Sequence, residues 1–426
     1  MSLWRSISNL FHGRRHSFFL FLHEGESMTD RDTLAAINSL KEVVRGDPDA
    51  VGTYLALGNL YRARGDLERA IQIRNSIVVR SDLNDDLKAR AYFEMGLDYK
   101  RGGFMDRALA AFEHARRWGG PPDVIGHEVA MLHAASGNFQ EAAAAYGRLG
   151  HKVAEAYYLT CLGEECLRQD NPAQALSVTK KALRVYPPSP EAWLARVIYA
   201  ARQGKWREVN KLYSLAWNKI APEARFLFLE GLLNEIDRSF ALVDKEFAPR
   251  EPESVLAVEE NLEAQALSEN ISESGELDKD SAGGGADKDS GPGSDERKAA
   301  IAANWCKVVI DGRKPLPEDT DILTHYYQGL LLMRAGRLEE AGLAFEKALI
   351  LDPEFWAARM ERVAITLRNE NVTPYLREQI SYFLAQGRQN NRFICKVCGL
   401  RQNTIFFACP KCRSWHSAMF RRSLKN

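Results

Sequence analysis

Apolar residues recur every three or four positions along most of the chain, from about Asp32 to Phe247 and again from about Lys298 to Ala385. This spacing places the apolar side chains on one face of a helix and indicates amphipathic α-helices. Short polar or glycine-containing breaks separate the helical stretches, and the whole pattern repeats with a period near 34 residues. The chain is therefore predicted to be all-α and built from repeated pairs of helices.

Six copies of the unit lie in register, and two of them are the clearest. The first contains Tyr54, Leu57, Gly58, Tyr61, Gly65 and Ala70, and the second contains Tyr92, Met95, Gly96, Tyr99, Gly103, Ala108, Phe112 and Ala115. Weaker copies follow around Gly137, Gly163, Gly204 and Gly336. The pattern resembles the tetratricopeptide repeat, a helix–turn–helix unit. Because one unit cannot bury its apolar face alone, the units are expected to stack into a superhelix with a concave groove.

Each position of the unit has a physical reason. Small residues such as Gly58 and Ala70 are predicted to face each other where the two helices cross, so that the backbones approach closely. Gly65 and Gly103 are predicted to end the first helix in a left-handed conformation, which glycine adopts without steric cost. Pro187 is predicted to stop a second helix.

Changes in composition divide the chain into five segments. The predicted boundaries are 1–31 for a leader, 32–248 for repeats, 249–297 for an acidic disordered linker, 298–386 for further repeats and 387–426 for a metal-binding module. Residues 218–247 are helical but match the unit poorly, and they are interpreted as a degenerate repeat. The linker is rich in Gly, Ser and Asp, and it has too few apolar residues to offset its conformational entropy.

The leader allows two interpretations. No apolar run approaches the roughly 20 residues that a membrane-spanning helix needs. Trp4, Ile7 and Leu10 nevertheless lie at helical spacing beside Arg5, which is the pattern of a peripheral helix at a membrane surface. The alternative is a disordered or untranslated leader, with Met28 as the start.

Charge is strongly segregated although the formal net charge of the chain is zero. Residues 251–296 contain fourteen acids and two lysines, whereas residues 387–426 contain nine Lys or Arg and no acid. A hydrophobic content of 45% excludes wholesale disorder. Seven cysteines are too few for a disulfide scaffold of this length, so a reducing, cytoplasmic location is expected.

The sharpest chemical signal is a pair of Cys-x-x-Cys motifs, formed by Cys395, Cys398, Cys409 and Cys412. Two intervening residues let both thiolates of a pair reach one ion, and four thiolates fill a tetrahedral shell, so the site is predicted to be structural. Sulfur ligands suit zinc or iron, and spacing alone does not choose between them. His416 is expected to be a solvated loop residue, with a substitute ligand as the alternative.

The three remaining cysteines lie in the helical repeats. Cys161, Cys166 and Cys306 are predicted to pack there as small apolar residues.

Repeats of this type followed by a four-cysteine module resemble the lipopolysaccharide assembly protein B family, whose terminal module is rubredoxin-like or a zinc ribbon. The resemblance rests on the stretch 55–71 and on Cys395 to Trp415. It implies a non-enzymatic adaptor at the cytoplasmic face of the inner membrane, with the metal module packed onto the repeats. It also implies partnership with the membrane protease FtsH in limiting the lipid A deacetylase. The chain departs from the family in its long acidic insertion and in having no apparent transmembrane helix.

A peptide-binding groove is predicted on the first helices of the units. Its candidate residues are Asn59, Arg62, Lys100, Arg101, Arg168, Arg202 and Arg334. A cationic row of this kind would pair with acidic side chains or a terminal carboxylate of a client protein. The alternative is that cations near helix C-termini simply complement the helix dipole.

The sequence also allows three other functions. Basic residues interleave with Phe393, Phe406, Phe407 and Trp415 in the last segment, a composition that single-strand nucleic-acid binders use. We expect Phe406 and Trp415 to form the core of the module instead, so nucleic acid is not the expected partner. Iron in the four-cysteine site would allow electron transfer, and a repeat protein with a different client is the third alternative. No pattern of catalytic residues is visible, so an enzyme is not expected.

Overall fold

The computed structural model describes residues 30–46, 50–247, 294–311, 322–369, 372–388 and 392–422. The predicted leader and the predicted linker lie almost entirely outside these ranges. The described part of the chain contains seventeen α-helices and three short strands, so the predicted all-α repeat fold with a small β module is confirmed. The chain divides into two compact units, residues 1–150 and 151–426, which are described separately.

The first unit consists of seven helices. They are α1 (Asp30–Gly46), α2 (Val51–Arg64), α3 (Leu67–Val78), α4 (Asp85–Arg101), α5 (Met105–Arg117), α6 (Pro122–Ala135) and α7 (Phe139–Arg148). Gly65 ends α2 with φ +87°, and its N–H donates to the carbonyl of Arg62. Gly103 takes the same left-handed conformation after α4, as predicted.

The second unit contains ten helices and the strands. The helices are α8 (Lys152–Arg168), α9 (Pro172–Val185), α10 (Pro190–Arg202), α11 (Trp206–Lys219), α12 (Arg225–Phe247), α13 (Ser294–Cys306), α14 (Ile322–Arg334), α15 (Leu338–Leu351), α16 (Trp356–Asn369) and α17 (Pro374–Arg388). A 3₁₀ turn, Pro222–Ala224, precedes α12, and a π-helical turn, Lys307–Asp311, follows α13. The segment interpreted as a degenerate repeat thus contains one long helix, α12, rather than a helix pair. This helix supplies partners to several distant side chains.

The small residue at the helix crossing makes room for a large side chain of the second helix. A β-carbon added to Gly96 would collide with the ring of Phe112, and one added to Gly329 would collide with Phe345. At the first crossing, where Gly58 and fully buried Ala70 are predicted to meet, a large side chain is present as well. Gly58 faces the guanidinium of Arg74, which takes the place that phenylalanine holds in the other two units.

The three strands form an antiparallel sheet in the order β2-β1-β3, with β1 Phe393–Cys395, β2 Arg401–Gln402 and β3 Ala418–Phe420. Phe393 lies opposite Gln402 on one side and Phe420 on the other. Both phenylalanines are buried, and they belong to the same hydrophobic cluster as residues of α10 to α16. The module therefore shares the core of the second unit instead of having a separate one.

None of the described helices combines the length and apolar character that crossing a bilayer requires.

Candidate functional site

Two tight turns of similar form carry the four cysteines. In the first, the N–H of Cys395 donates to Leu400 O at 2.8 Å and the N–H of Gly399 donates to Cys395 O at 2.9 Å. Gly399 has φ +69°, a conformation that favours glycine. In the second turn, the N–H of Arg413 donates to Cys409 O at 2.9 Å. Hydrogen bonds between backbone groups therefore fix the shape of both turns without help from side chains.

The four cysteine sulfurs form a single cluster. All of the Sγ atoms lie within 4.8 Å of one another, and those of Cys395 and Cys412 are 3.6 Å apart. The Sγ atoms of Cys398 and Cys409 are 3.7 Å apart. A regular tetrahedron with metal–sulfur bonds of about 2.3 Å has edges of about 3.8 Å, so these separations fit one tetrahedral ion. The donor set is consistent with one structural metal site, which would tie the two turns together.

The surroundings of the thiols shift the pKa of Cys395 and the pKa of Cys398 in opposite directions. Burial alone would raise the pKa of Cys395, but its hydrogen bond with Ser417 and those from the backbone N–H groups of Cys398 and Val397 lower it to about 5. Although the Leu400 N–H lowers the pKa of Cys398, burial and the three neighbouring sulfurs together raise it to about 11. A bound cation would remove this conflict, because it stabilises all four thiolates at once.

Two serines surround the sulfur cluster on the side of Cys395. Ser417 Oγ lies 3.3 Å from Cys395 Sγ, and Ser414 Oγ lies 3.0 Å from Cys412 Sγ. The two hydroxyls are themselves 2.8 Å apart. Sequence reasoning missed these serines, although both lie within five residues of Cys412. Their hydroxyls hold the sulfurs of Cys395 and Cys412 in position, as hydrogen-bonding groups around metal ligands commonly do.

His416 is neither solvated nor part of the sulfur cluster, so its predicted role as a solvated loop residue is wrong. Its Nε2 lies 2.9 Å from Glu191 Oε2 at the start of α10, and both side chains are largely buried. Its ring also stacks on Tyr186. The residue departs from expectation because its backbone folds back with φ +49° and its N–H donates to Phe407 O.

Further contacts attach the module to the repeat helices. The Trp356 indole N–H donates to Arg421 O at 2.9 Å. Arg392 Nη2 donates to Glu230 Oε1 of α12 at 3.2 Å. The ring of Phe420 meets that of Tyr326 edge-on, with centroids 5.5 Å apart. The module is thus packed against α12, α14 and α16.

In the first unit, two predicted groove residues belong to a buried ionic network. Arg62 pairs with Glu94 at 2.7 Å and with Asp98 at 2.9 Å. Asn59 Oδ1 accepts hydrogen bonds from Arg62 and from Arg74, so it is engaged within the protein. Arg62 thus links α2 to α4, and Asn59 links α2 to α3 through Arg74.

Arg74 and Asp98 lie at the centre of this network and are fully buried. Arg74 Nε lies 3.4 Å from Asp98 Oδ2, and Arg74 Nη1 donates to Leu55 O at 2.8 Å. Burial lowers the pKa of Arg74, while Glu94 and Asp98 act in the opposite direction. Burial likewise raises the pKa of Asp98, and Arg74 and Arg62 oppose that shift. The repeat register could have revealed this network, because Arg74 occupies a position where other units have an aromatic ring.

The remaining groove candidates differ in how fully they are engaged. In the first unit, Lys100 pairs with Glu128 at 2.6 Å, and Arg101 is exposed at the end of α4. In the second unit, Arg168 pairs with Glu165, and more than half of its side chain is exposed.

Arg202 and Arg334 are both paired with acids of α12. Arg202 binds both carboxylate oxygens of Glu235, at 2.7 and 2.9 Å. Arg334 binds both oxygens of Asp237 at 2.6 Å. Acidic side chains therefore neutralise most of the predicted row of cations. The repeat pattern did not predict these acids as partners.

The three cysteines outside the sulfur cluster lie in helices of the second unit. Cys166 and Cys306 are buried, and Cys161 is half-buried. Burial, above all other causes, raises the pKa of the Cys161 thiol to about 12, which keeps it protonated and unreactive at neutral pH.

Comparison with known proteins supports the repeat assignment. Tetratricopeptide repeat family profiles match residues 28–82 and 322–355. Lipopolysaccharide assembly protein B of Escherichia coli K12 is 32% identical over 77 residues, which is 18% of this chain and 20% of that protein. The protein of that name from E. coli O157:H7 matches with the same figures. This chain therefore contains tetratricopeptide repeats in both of these stretches, and it resembles lipopolysaccharide assembly protein B. It spans about a fifth of the length of the curated relatives it matches.

Several solved structures are also similar to this chain, although their TM-scores are low. MamA is 23% identical, covering 37% of this chain and 90% of its own, with a TM-score of 0.29. A tetratricopeptide repeat protein from Parabacteroides merdae is 15% identical, covering 82% of this chain and 99% of its own, with a TM-score of 0.29. PilF from Pseudomonas aeruginosa is 16% identical, covering 54% and 99%, with a TM-score of 0.25. Such likenesses carry no information about what this chain binds.

Proposed function

We propose that this protein is a non-enzymatic adaptor that binds client proteins through its repeats and uses the four-cysteine module as a structural clamp. Tetratricopeptide repeats are protein–protein interaction scaffolds, which is the general function that the fold supports. The observation that carries the proposal is the sulfur cluster, whose four cysteines leave no open position for water or substrate. A closed site of this kind stabilises structure instead of performing chemistry.

The process proposed for the adaptor is control of lipopolysaccharide assembly. Support comes from the 32% identity, over 77 residues, to lipopolysaccharide assembly protein B, and from the four-cysteine module that follows the repeats. By the family resemblance, the partners are the membrane protease FtsH and the lipid A deacetylase, whose amount the adaptor would limit. The proposed location is the cytoplasmic face of the inner membrane, with a peripheral membrane contact.

The proposed metal is zinc or iron, held by Cys395, Cys398, Cys409 and Cys412. When bound, the ion supplies two positive charges and fixed tetrahedral geometry. Clamping the two cysteine turns also keeps His416 and Arg392 placed against Glu191 and Glu230.

Only some of the predicted groove residues are accessible enough to contact a client. Asn59 and Arg62 are engaged within the first unit, whereas Arg101 and most of the Arg168 side chain face solvent. We propose these two arginines as the points at which acidic client side chains are bound.

Nucleic-acid binding by the basic module has less support. Phe393, Phe406 and Phe420 are buried, so these rings are not available for stacking on bases. Phe407 and Trp415 are half-buried, so few rings are accessible and backbone electrostatics would have to supply most of the binding.

The test is affinity capture of the tagged full-length chain from the solubilised envelope of its host, beside a Cys395→Ser, Cys398→Ser variant. We expect the intact chain to recover FtsH and the lipid A deacetylase, and the variant to recover neither. A Cys161→Ser variant is the matched control, since that thiol lies outside the sulfur cluster and should not affect recovery. Recovery of other proteins alone would retain the adaptor function and remove the link to lipid A. Recovery of RNA without protein would favour the nucleic-acid alternative.

A further inference from the structure

We infer that the acidic stretch of residues 251–280 docks on a basic surface of the metal module in the same chain. The basic surface is defined by four exposed cations, Lys396, Arg401, Lys411 and Arg413. This inference goes beyond the adaptor function and does not depend on it. The acidic stretch itself lies outside the described residues, so its sequence and its two points of attachment are what bear on the inference.

The four cations lie at one end of the module, because each is within three residues of a cysteine of the sulfur cluster. Lys396 lies inside the first cysteine turn, and Lys411 and Arg413 flank Cys412 in the second. Arg401 follows the first turn and begins strand β2. Since all four sulfurs lie within 4.8 Å of one another, the two turns and their cations meet at the cluster.

The basic surface has an excess of positive charge. Among the described residues, the ion pairs of the module's arginines join Arg392 to Glu230 and Arg422 to Asp352, and no carboxylate pairs with the four cations of the surface. The segment 387–426 contains no acid of its own. With a divalent ion bound, four thiolates leave two negative charges on the cluster, which offset only half of the four positive ones. An anionic partner would neutralise the rest.

The acidic stretch matches this surface in charge and in apolar content. Residues 251–280 contain ten acids and one lysine, the densest run of negative charge in the chain. Apolar residues such as Val255, Leu256 and Leu262 lie between the acids. On the basic surface, Val397 beside Lys396 is 64% exposed and offers an apolar contact among the cations. Both sides thus combine an apolar group with charges of opposite sign.

The acidic stretch is attached within reach of the basic surface. It begins four positions after Phe247, where α12 ends, and α12 contacts the module through the pair of Glu230 and Arg392 at 3.2 Å. Phe247 lies seventeen residues beyond Glu230, which is about 26 Å along a helix. About ten residues of extended chain cover that distance. The stretch is three times as long, so it can return to the module.

Covalent attachment also makes weak ion pairs sufficient. An exposed pair of Lys or Arg with a carboxylate contributes little by itself. A segment tethered in the same chain is present at an effective concentration of the order of millimolar, and several weak pairs then act together. A separate acidic protein would lack this advantage, which is why the chain's own stretch is the occupant.

The first test is zero-length carbodiimide cross-linking of the full-length, metal-loaded chain, followed by mass spectrometry. The reagent joins a lysine amine to a carboxylate in direct contact. We expect Lys396 and Lys411 to be joined to acids of 251–280 with a yield at least about ten-fold above that of Lys205 and Lys211, two exposed lysines of the repeats. The yield should fall to the level of these controls at about 0.5 M salt, which screens exposed charges. Mixing with isotopically labelled chain separates links within one chain from links between chains.

The second test measures binding of a fluorescent synthetic peptide of residues 251–280 by anisotropy. A full-length chain whose own acids in this stretch are replaced by Asn or Gln should bind the peptide at least about ten-fold more tightly than the unchanged chain does. The reason is that the stretch of the unchanged chain competes for the same surface at high effective concentration.

Two sets of substitutions in that acid-replaced chain locate the binding. Loss of peptide binding is expected when the basic surface is neutralised by Lys396→Gln, Arg401→Gln, Lys411→Gln and Arg413→Gln. Unchanged binding is expected for the matched set on exposed positions of the repeats, Lys180→Gln, Lys181→Gln, Lys205→Gln and Lys211→Gln. Circular dichroism and metal content establish that each variant is folded and loaded. The cross-linking uses the unchanged chain and so does not depend on any variant.

Several results would overturn the inference. Cross-links that fall equally on the control lysines, or that join different chains, would do so. Equal binding of the peptide to the unchanged and acid-replaced chains would show that the acidic stretch does not cover the surface. Peptide binding that survives neutralisation of the four cations, while metal content falls, would show that they only balance the charge of the metal cluster.

Nucleic acid gives a further control, because it would use the same cations. A single-stranded oligonucleotide that binds the unchanged and acid-replaced chains equally well would also overturn the inference. None of these measurements involves a client protein. The adaptor function is tested separately by the envelope capture, so failure of one leaves the other standing.

Discussion

The guanidinium of Arg74 lies directly against the α-carbon of Gly58, in the space that a β-carbon at that position would need. In two other units a phenyl ring fills the same crossing, Phe112 at Gly96 and Phe345 at Gly329. The first clear repeat thus has a buried cation in place of an aromatic side chain. Its charge is balanced by Asp98 and Glu94, which α4 of the following repeat contributes.

Replacing Arg74 by methionine should destabilise the first unit by about 3–5 kcal/mol at pH 8, because it leaves buried carboxylates with one partner fewer. The free energy of opening of α2 and α4, measured by hydrogen exchange on the full chain, checks this. Arg69→Met is the matched control on the same helix, since the Arg69 side chain is largely exposed and its ion pair is with the nearby Asp66. An equal effect of the two substitutions would refute the prediction.

The cost of Arg74→Met should also depend on pH. Burial already raises the pKa of Asp98, and loss of Arg74 removes a group that lowers it. The folded variant then holds the Asp98 proton more tightly than the unfolded chain does, so stability falls as the pH rises through the folded pKa. The stability difference from the unchanged chain should therefore be smaller at pH 5 than at pH 8. A difference that does not vary between these two pH values would show that charge is not the cause.

The contact between His416 and Glu191 should stabilise docking of the metal module. His416→Ala leaves the buried Glu191 carboxylate without this partner, and a loss of about 1–3 kcal/mol is expected. Faster release of metal to a chromogenic chelator is the readout. In a double-mutant cycle, Glu191→Ala should cost much less in the His416→Ala background than alone. Additive effects would mean that the two side chains stabilise the protein independently.

Metal analysis of the purified chain should find about one ion per molecule, as a closed four-sulfur site implies. Cys398→Ser or Cys409→Ser should lower that content and raise hydrogen exchange in the three-stranded sheet. Cys161→Ser should change neither quantity. A colourless zinc protein would leave the structural role in place, whereas a red, redox-active protein would favour electron transfer.

Substituting Arg101 and Arg168 together by alanine tests the accessible groove cations. We expect a several-fold loss of affinity for a captured client, since each exposed ion pair contributes about 0.2–1 kcal/mol. Lys205→Ala, another exposed cation, is the control. Unchanged client affinity with full helicity would show that these arginines serve only to complement the helix dipoles.

Local patterns predicted local features well. The spacing of Gly65 and Gly103 gave the repeat turns because the left-handed conformation depends on the residue itself. Cys395 and Cys398 were placed correctly beside each other because two residues separate them along one turn. Features of this kind are determined within a few positions of the chain.

Contacts between residues far apart in the sequence are what the repeat pattern could not predict. The acids opposite Arg202 and Arg334 lie on α12, whose sequence matches the repeat poorly, so the repeat pattern predicts no partner there. His416 finds its partner in Glu191, more than two hundred positions earlier in the chain. Such contacts follow from how helices stack, and helical periodicity alone does not contain that information.

The sheet that carries Phe393 and Phe420 completes a hydrophobic cluster to which α10 and α12 also contribute, and this has a consequence during synthesis. A ribosome makes α12 long before it reaches the cysteines, so the ring of Phe226, which stacks on Phe393 of the module, stays uncovered until the module folds. Apolar surface exposed for that long is what chaperones and proteases recognise. If the module needs a metal ion to fold, the supply of metal in the cell would determine what fraction of newly made chains escapes degradation.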